Sequence, residues 1–429
     1  MKQVAILNGH LIDPDNNIDG QHDLYIENGR VVALDTEPDH FKAARQLDAS
    51  GKIVCPGLID LCARVRSPGA DSAYAMEKEL QSAVAGGITR LVCPPDTVPV
   101  IDMPATARLE QDLAAETGLA RVHPIAAMTR KLEGTTITDM AMLQEAGCVG
   151  VGNALKPIAD TLVLRRAMQY ASTYDIKIFL TPFDPYLLGN GCVHEGELST
   201  LLGLPAIPEA AETVAVARDL ALIETAGVRA HIQLLSSARA LEMIQHAQQQ
   251  GLPVSASVAA HHLHISENDM PHFDPNFKVL PPFREASDKQ ALRDGIKSGV
   301  ISSVCSDHQS RGKDTKLAPF SEASSGIIGL QTLLSLTLKL AREGVCTLSE
   351  AIALLSCNPA REIGLDAGHL GIGQLADVCI FDPQEDWELT PEALYCRGTS
   401  SPFLGQTLPG KVSHTLIEGK VVFPFENDV

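Results

Sequence analysis

Apolar and polar positions alternate in blocks through the middle of the chain. Short apolar runs predict strands over 53–61, 88–93, 121–127, 148–151, 177–180, 230–235, 254–258 and 301–305. Stretches with helical spacing separate them, over 73–85, 104–117, 138–146, 160–174, 208–226, 237–250, 288–298 and 327–343. Gly86-Gly87, Gly147, Gly227 and Gly251 follow several of these helices, where a left-handed C-terminal cap favours glycine. Eight strands alternating with eight helices is the pattern of a (β/α)8 TIM barrel, an α/β fold.

The two ends of the chain read differently. Strand candidates lie at 4–7, 23–27, 30–33 and 52–55, and Glu27-Asn28-Gly29-Arg30 carries an Asn-Gly hairpin signal. Residues 376–381, 411–418 and 420–423 repeat the pattern, with Glu418-Gly419 as a turn. The chain has 429 residues and is 45% hydrophobic, enough for one large barrel and a small appended β domain. A formal net charge of −19 argues against nucleic acid and anionic membranes as partners. The apolar run at residues 1–9 is too short for a signal peptide, and no stretch approaches the roughly 20 apolar residues of a membrane span. The expectation is a cytoplasmic protein. Its ten cysteines are scattered without a Cys-x-x-Cys pair, and Cys55, Cys93, Cys305 and Cys379 sit in apolar runs, as reduced core thiols do.

One stretch carries a specific signature: Pro56-Gly57-Leu58-Ile59-Asp60-Leu61-Cys62-Ala63-Arg64-Val65-Arg66-Ser67-Pro68-Gly69. It resembles the first-strand motif of the amidohydrolase superfamily, and within it the dihydroorotases. In those, a His-x-His pair stands where Cys62 and Arg64 stand here. Scaffold motifs of the same family recur at Gly326–Thr332, at Asn358-Pro359-Ala360-Arg361 and at Ala376-Asp377-Val378. The resemblance spans nearly the whole chain. It implies an amidohydrolase-type barrel (55–365) and a small β-sandwich built jointly from residues 1–54 and 366–429.

The resemblance also implies a metal site at the carboxyl ends of the barrel strands, where bound metal makes hydroxide from water. Cys62 and Arg64 replace two of its ligands, and arginine has no lone pair to give a metal. After strand four the bridging position falls on Asn153 or Ala154, with Lys156 nearby as a candidate for carbamylation. Thr181 replaces the histidine after strand five. In His231-Ile232-Gln233-Leu234 the ligand histidine has become Leu234, and His231 reads as a core histidine. Asp307, in Cys305-Ser306-Asp307-His308, is the one retained catalytic position, with pairing to Arg64 as its structural alternative.

At the family's substrate positions Arg66 is kept, while Asp96, Leu280 and Arg311 are changed. An Asp at 96 is expected to repel an anionic substrate. His261-His262-x-His264 has metal-ligand spacing but lies outside the family's metal centre. These losses lead to the expectation of an inactive chain with no metal or cofactor. The family includes noncatalytic dihydroorotase-like chains of bacterial aspartate carbamoyltransferase, so the resemblance implies a structural subunit of pyrimidine biosynthesis. Six catalytic and six such chains would form a dodecamer, with self-association as dimers. The alternative is a divergent metal-dependent amidohydrolase acting on a cyclic amide such as dihydroorotate, using Cys62, Asp307 and the His261–His264 cluster.

Overall fold

In the computed structural model, which describes residues 3–39, 41–69, 72–271 and 273–425, eight short strands pair in parallel in chain order. They are Leu58–Asp60, Ile88–Cys93, Arg121–Ala127, Gly150–Gly152, Ile178–Leu180, Ala230–Ile232, Val254–Ala259 and Ser303–Cys305. Just past the last and first of them, His308–Gln309 pairs in parallel with Ala63–Arg64, which curls the sheet towards a barrel. The expected α/β barrel is therefore present, with helices such as Pro104–Thr117, Ala210–Ala226 and Ala238–Gln249 outside it.

Most strands are shorter than the apolar runs that announced them: Gly150–Gly152, Ile178–Leu180 and Ser303–Cys305 begin later, and Ala230–Ile232 ends earlier, because buried turn residues flank the strands and read as apolar or buried without pairing. The run 53–61 divides into two strands. Ile53–Pro56 pairs antiparallel with Val378–Glu388, and Leu58–Asp60 enters the barrel. Gly57 is the joint, and a Cβ there would stand 2.4 Å from the side chain of Thr89. The predicted helix 327–343 starts late, at Leu333–Arg342, because Gly329 packs on the last barrel strand's exit: a Cβ there would lie 2.6 Å from the Ser306 carbonyl oxygen. The sequence pattern did not reveal the excursion after strand five, where helices Pro185–Leu188 and Glu197–Leu202 flank the paired strands Val193–His194 and Ala206–Ile207.

The two ends of the chain share one eight-stranded sheet. Its path runs Lys420–Phe423, Thr407–Ile417, Val378–Glu388, Ile53–Pro56, Gln3–Asp13, Ile18–Glu27 and Arg30–Leu34, and Arg45–Asp48 pairs beside Gln3–Asp13. Val4, Ile6, Leu24, Ile26, Val54 and Ile380 contribute to a second apolar core there. Asp377 pins this sheet to the barrel, accepting from Arg90 at 3.0 Å and Arg121 at 2.7 Å.

A polar cluster lies on the inner strands around Glu362, at the end of helix Cys357–Glu362. Glu362 accepts from Lys177, from Ser255 Oγ at 2.6 Å and from Ser302 Oγ at 2.9 Å. Fully buried His231 lies beside it, held by Ser255 and Ser257 hydroxyls, each at 2.9 Å. All ten cysteines are unpaired and nine are buried. Among the described residues, no helix is long and apolar enough to cross a membrane.

Candidate functional site

The ends of the first and eighth barrel strands are laced together by Asp60. Its buried carboxylate accepts from the Ser306 backbone N–H at 3.0 Å, the Cys62 N–H at 3.2 Å and the Ser306 hydroxyl. This brings Arg64 and Asp307 face to face. Arg64 Nη1 donates to Asp307 Oδ1 at 3.0 Å, and its Nε donates to Asp96 Oδ2 at 2.9 Å. Arg64 is 5% exposed and Asp307 1%. Burial works against the guanidinium's charge, but Asp96, Cys62 and Asp307 outweigh it and hold the proton well above the usual arginine range.

Asp307 sits in the left-handed region at φ 44°. Gln309 donates to its Oδ1 at 3.2 Å, while its buried Oδ2 has no hydrogen-bond partner among the described residues. Burial pushes its carboxyl up to about 6, against the pull of Arg64. The proposed pairing of Asp307 with Arg64 thus forms. The reading of Asp96 as a free, repelling carboxylate is corrected, since Arg64 neutralises it and the pair holds its carboxyl below the usual range despite burial.

The other positions close rather than open the mouth. Leu234 joins an apolar plug with Ile59, Leu61, Cys62, Phe179 and Cys305. Asn153 spends its side chain locally: its amide donates to the Lys156 carbonyl at 2.6 Å, and its oxygen accepts from Thr129 Oγ1 at 2.9 Å. Lys156 is exposed and Thr181 half-buried. His261 and His262 stack on each other and on Phe283, with centroids 4.6–5.6 Å apart, and His264 contacts the Leu336 carbonyl at 2.8 Å. Burial pulls all three well down, so they are neutral packing groups.

Arg66 is exposed, and Leu280 is half-buried. Arg311 donates to the Ser325 carbonyl at 2.9 Å, and burial with nearby Arg66 and Arg64 pulls it down to about 10. Among the described residues, no three His, Cys, Asp or Glu side chains are arranged to hold a metal ion. A guanidinium locked between the two nearest carboxylates is a fixed cation where the metal family needs donors. These residues do not fit the family's metal.

Two buried assemblies reach residues outside the quoted motifs. Gly329 N–H donates to His308 Nδ1 at 3.1 Å, so Nε2 carries the proton and donates to Glu79 at 2.8 Å, tying helix Ser72–Ala85 to the mouth. Glu212, on helix Ala210–Ala226, accepts from Arg284 at 2.9 Å and from Ser236 N–H at 2.9 Å. Arg284 also donates to Ser236 Oγ at 2.7 Å and His194 Nδ1 at 3.1 Å.

The raised carboxyl of Asp307 has a measurable consequence. Unfolded, it ionises near 3.8; folded, near 6. The folded state therefore binds the extra proton between these values, and stability falls as pH rises through that window, by about 3 kcal/mol from this group. Buried Asp219, also pushed up to about 6 by burial, adds a parallel slope. The difference in urea-unfolding free energy between the wild type and Asp307→Asn, followed from pH 4 to 8, isolates Asp307. A difference that is flat over that range would contradict the assignment.

Comparison with known proteins places these observations. Residues 51–240 match the profile described as dihydro-orotase-like, and residues 197–422 match that of the amidohydrolase family. A Pseudomonas aeruginosa protein named "Dihydroorotase-like protein" is 42% identical over 97% of this chain and 98% of its own. A Geobacter protein named "Dihydroorotase" is 37% identical over 98% of this chain and 99% of its own. The fold superposes on L-hydantoinase from Arthrobacter aurescens with a TM-score of 0.87 at 22% identity, covering 98% of this chain and 96% of that one. The expectation that this chain is no enzyme is overturned by the relatives: at 37% identity over nearly their full length, several carry an enzyme's name.

Proposed function

Because the chain belongs to the amidohydrolase family, on its dihydroorotase-like branch, we propose that it serves pyrimidine biosynthesis by assembling with an aspartate carbamoyltransferase catalytic chain. The observation that carries this reading is the Arg64–Asp96–Asp307 network with its apolar plug. It keeps the mouth of the barrel in a fixed shape with the chain's own side chains. A shape kept so firmly suits a surface on which another chain depends. The assembly expected is the dodecamer of six and six, with interfaces on the order of 1,600 Å2 or more each and two-fold pairing of this chain. Co-expression of the two chains, with the mass measured in solution, tests it. One complex, with transferase activity that falls when this chain is withheld, is the expected result. Separate elution at micromolar concentration, with an equally active transferase, refutes it.

A second reading rests on Asp307 and is compatible with the first. A buried carboxyl poised near 6 with one free oxygen has the properties of a general acid–base. The names of the relatives suggest a cyclic amide such as dihydroorotate as its target. Under this reading Asp307→Asn lowers turnover of dihydroorotate by roughly 10²–10⁴-fold. Equal rates in wild type and variant exclude Asp307 as the acting group.

A further inference from the structure

We infer that Arg64 is a built-in cation that does at this barrel mouth the electrostatic work a bound metal does elsewhere in the family. Three strand ends meet there, each bringing a carboxylate: Asp60 from the first, Asp96 from beyond the second and Asp307 from beyond the eighth. Such a group of acids repels itself unless a cation sits among them. In this chain the cation is covalently attached. The Arg64 guanidinium bridges Asp96 at 2.9 Å and Asp307 at 3.0 Å, and its backbone lies in the short pairing with His308–Gln309 that joins the barrel's two ends. Its planar fork holds both carboxylates in fixed directions, which a lysine's point charge cannot do. Leu234 and Cys62 pack beside it, and among the described residues no three His, Cys, Asp or Glu side chains could hold a metal ion there, while the neighbouring Arg66 and Arg311 form no ion pair with Asp307.

Four melting experiments on the full chain test this. Arg64→Ala is expected to melt roughly 5–10 °C lower than the wild type, because two carboxylates lose their counter-charge in a buried site. Millimolar methylguanidinium chloride, matched against sodium chloride, is expected to restore part of that loss. It should do nothing for the wild type or for the triple variant Arg64→Ala, Asp96→Asn, Asp307→Asn, which has no carboxylate pair to neutralise. Arg64→Lys is expected to fall between Arg64→Ala and the wild type. The wild type is expected to keep its melting temperature in excess EDTA. An Arg64→Ala protein as stable as the wild type, or equal rescue of the triple variant, overturns the inference. A wild type that loses several degrees in EDTA also overturns it, and decides the matter by itself if Arg64→Ala does not fold.

Discussion

Arg284→Met is expected to cost the fold about 3–5 kcal/mol. Arg284 and Glu212 are each about 1% exposed as side chains, and their contact at 2.9 Å has no solvent to share the charge. Methionine matches the arginine's length but leaves the Glu212 carboxylate facing apolar surroundings with only Ser236 to donate to it. His194, which now receives a hydrogen bond from Arg284, loses its anchor as well, so the excursion after strand five loosens from the barrel. Urea unfolding measures the loss. The double variant Arg284→Met, Glu212→Leu should recover most of it, because removing both partners removes the stranded charge. A loss below about 1 kcal/mol in the single variant would mean that water reaches Glu212 in solution.

Glu362→Ala is expected to cost a similar ~3–5 kcal/mol at neutral pH, and to flatten the acid side of the stability curve. Lys177 and Glu362 are only 13% and 11% exposed, and alanine strands the ammonium among Ser255, Ser302 and His231. Burial alone would raise the Glu362 carboxyl, but His231 and Lys177 overcome it and hold the group far below the carboxylate range. Its folded pKa is depressed, so its stabilisation is complete above the ordinary glutamate value near 4.5 and is lost as pH falls from there towards the folded pKa. The wild type should therefore lose stability on acidification below about pH 4.5 more steeply than Glu362→Ala does. Parallel curves would show that Lys177 and Glu362 are not coupled.

The barrel could be read from sequence because its strands are buried runs of fixed period, broken by glycines that only a cap or a close approach requires. The mouth could be read as a set of positions, because the Pro56–Gly69 frame and the Ser306-Asp307-His308 run fix where strand ends must lie. What those residues do to one another could not be read. Asp96 looked like a repelling charge, since nothing in a linear pattern places Arg64, thirty-two residues away, against it. Glu79 and Glu212 sit on amphipathic helices, where most carboxylates face solvent. Their burial depends on His308 and Arg284, from distant parts of the chain. The late start of helix Leu333–Arg342 was missed because Gly329's role is a contact with the Ser306 backbone, not a local preference.

The sheet shared by the two chain ends has a consequence during synthesis. Ile53–Pro56 gains its neighbour Gln3–Asp13 as soon as both emerge, but its other edge waits for Val378–Glu388. Throughout the making of the barrel, that edge offers unpaired backbone groups to any strand that passes, including those of nascent copies on the same message. A chain cut short before Val378 never covers it. Premature stops in the late barrel should therefore yield aggregates rather than a slightly smaller soluble protein, making the last strands a checkpoint on complete translation.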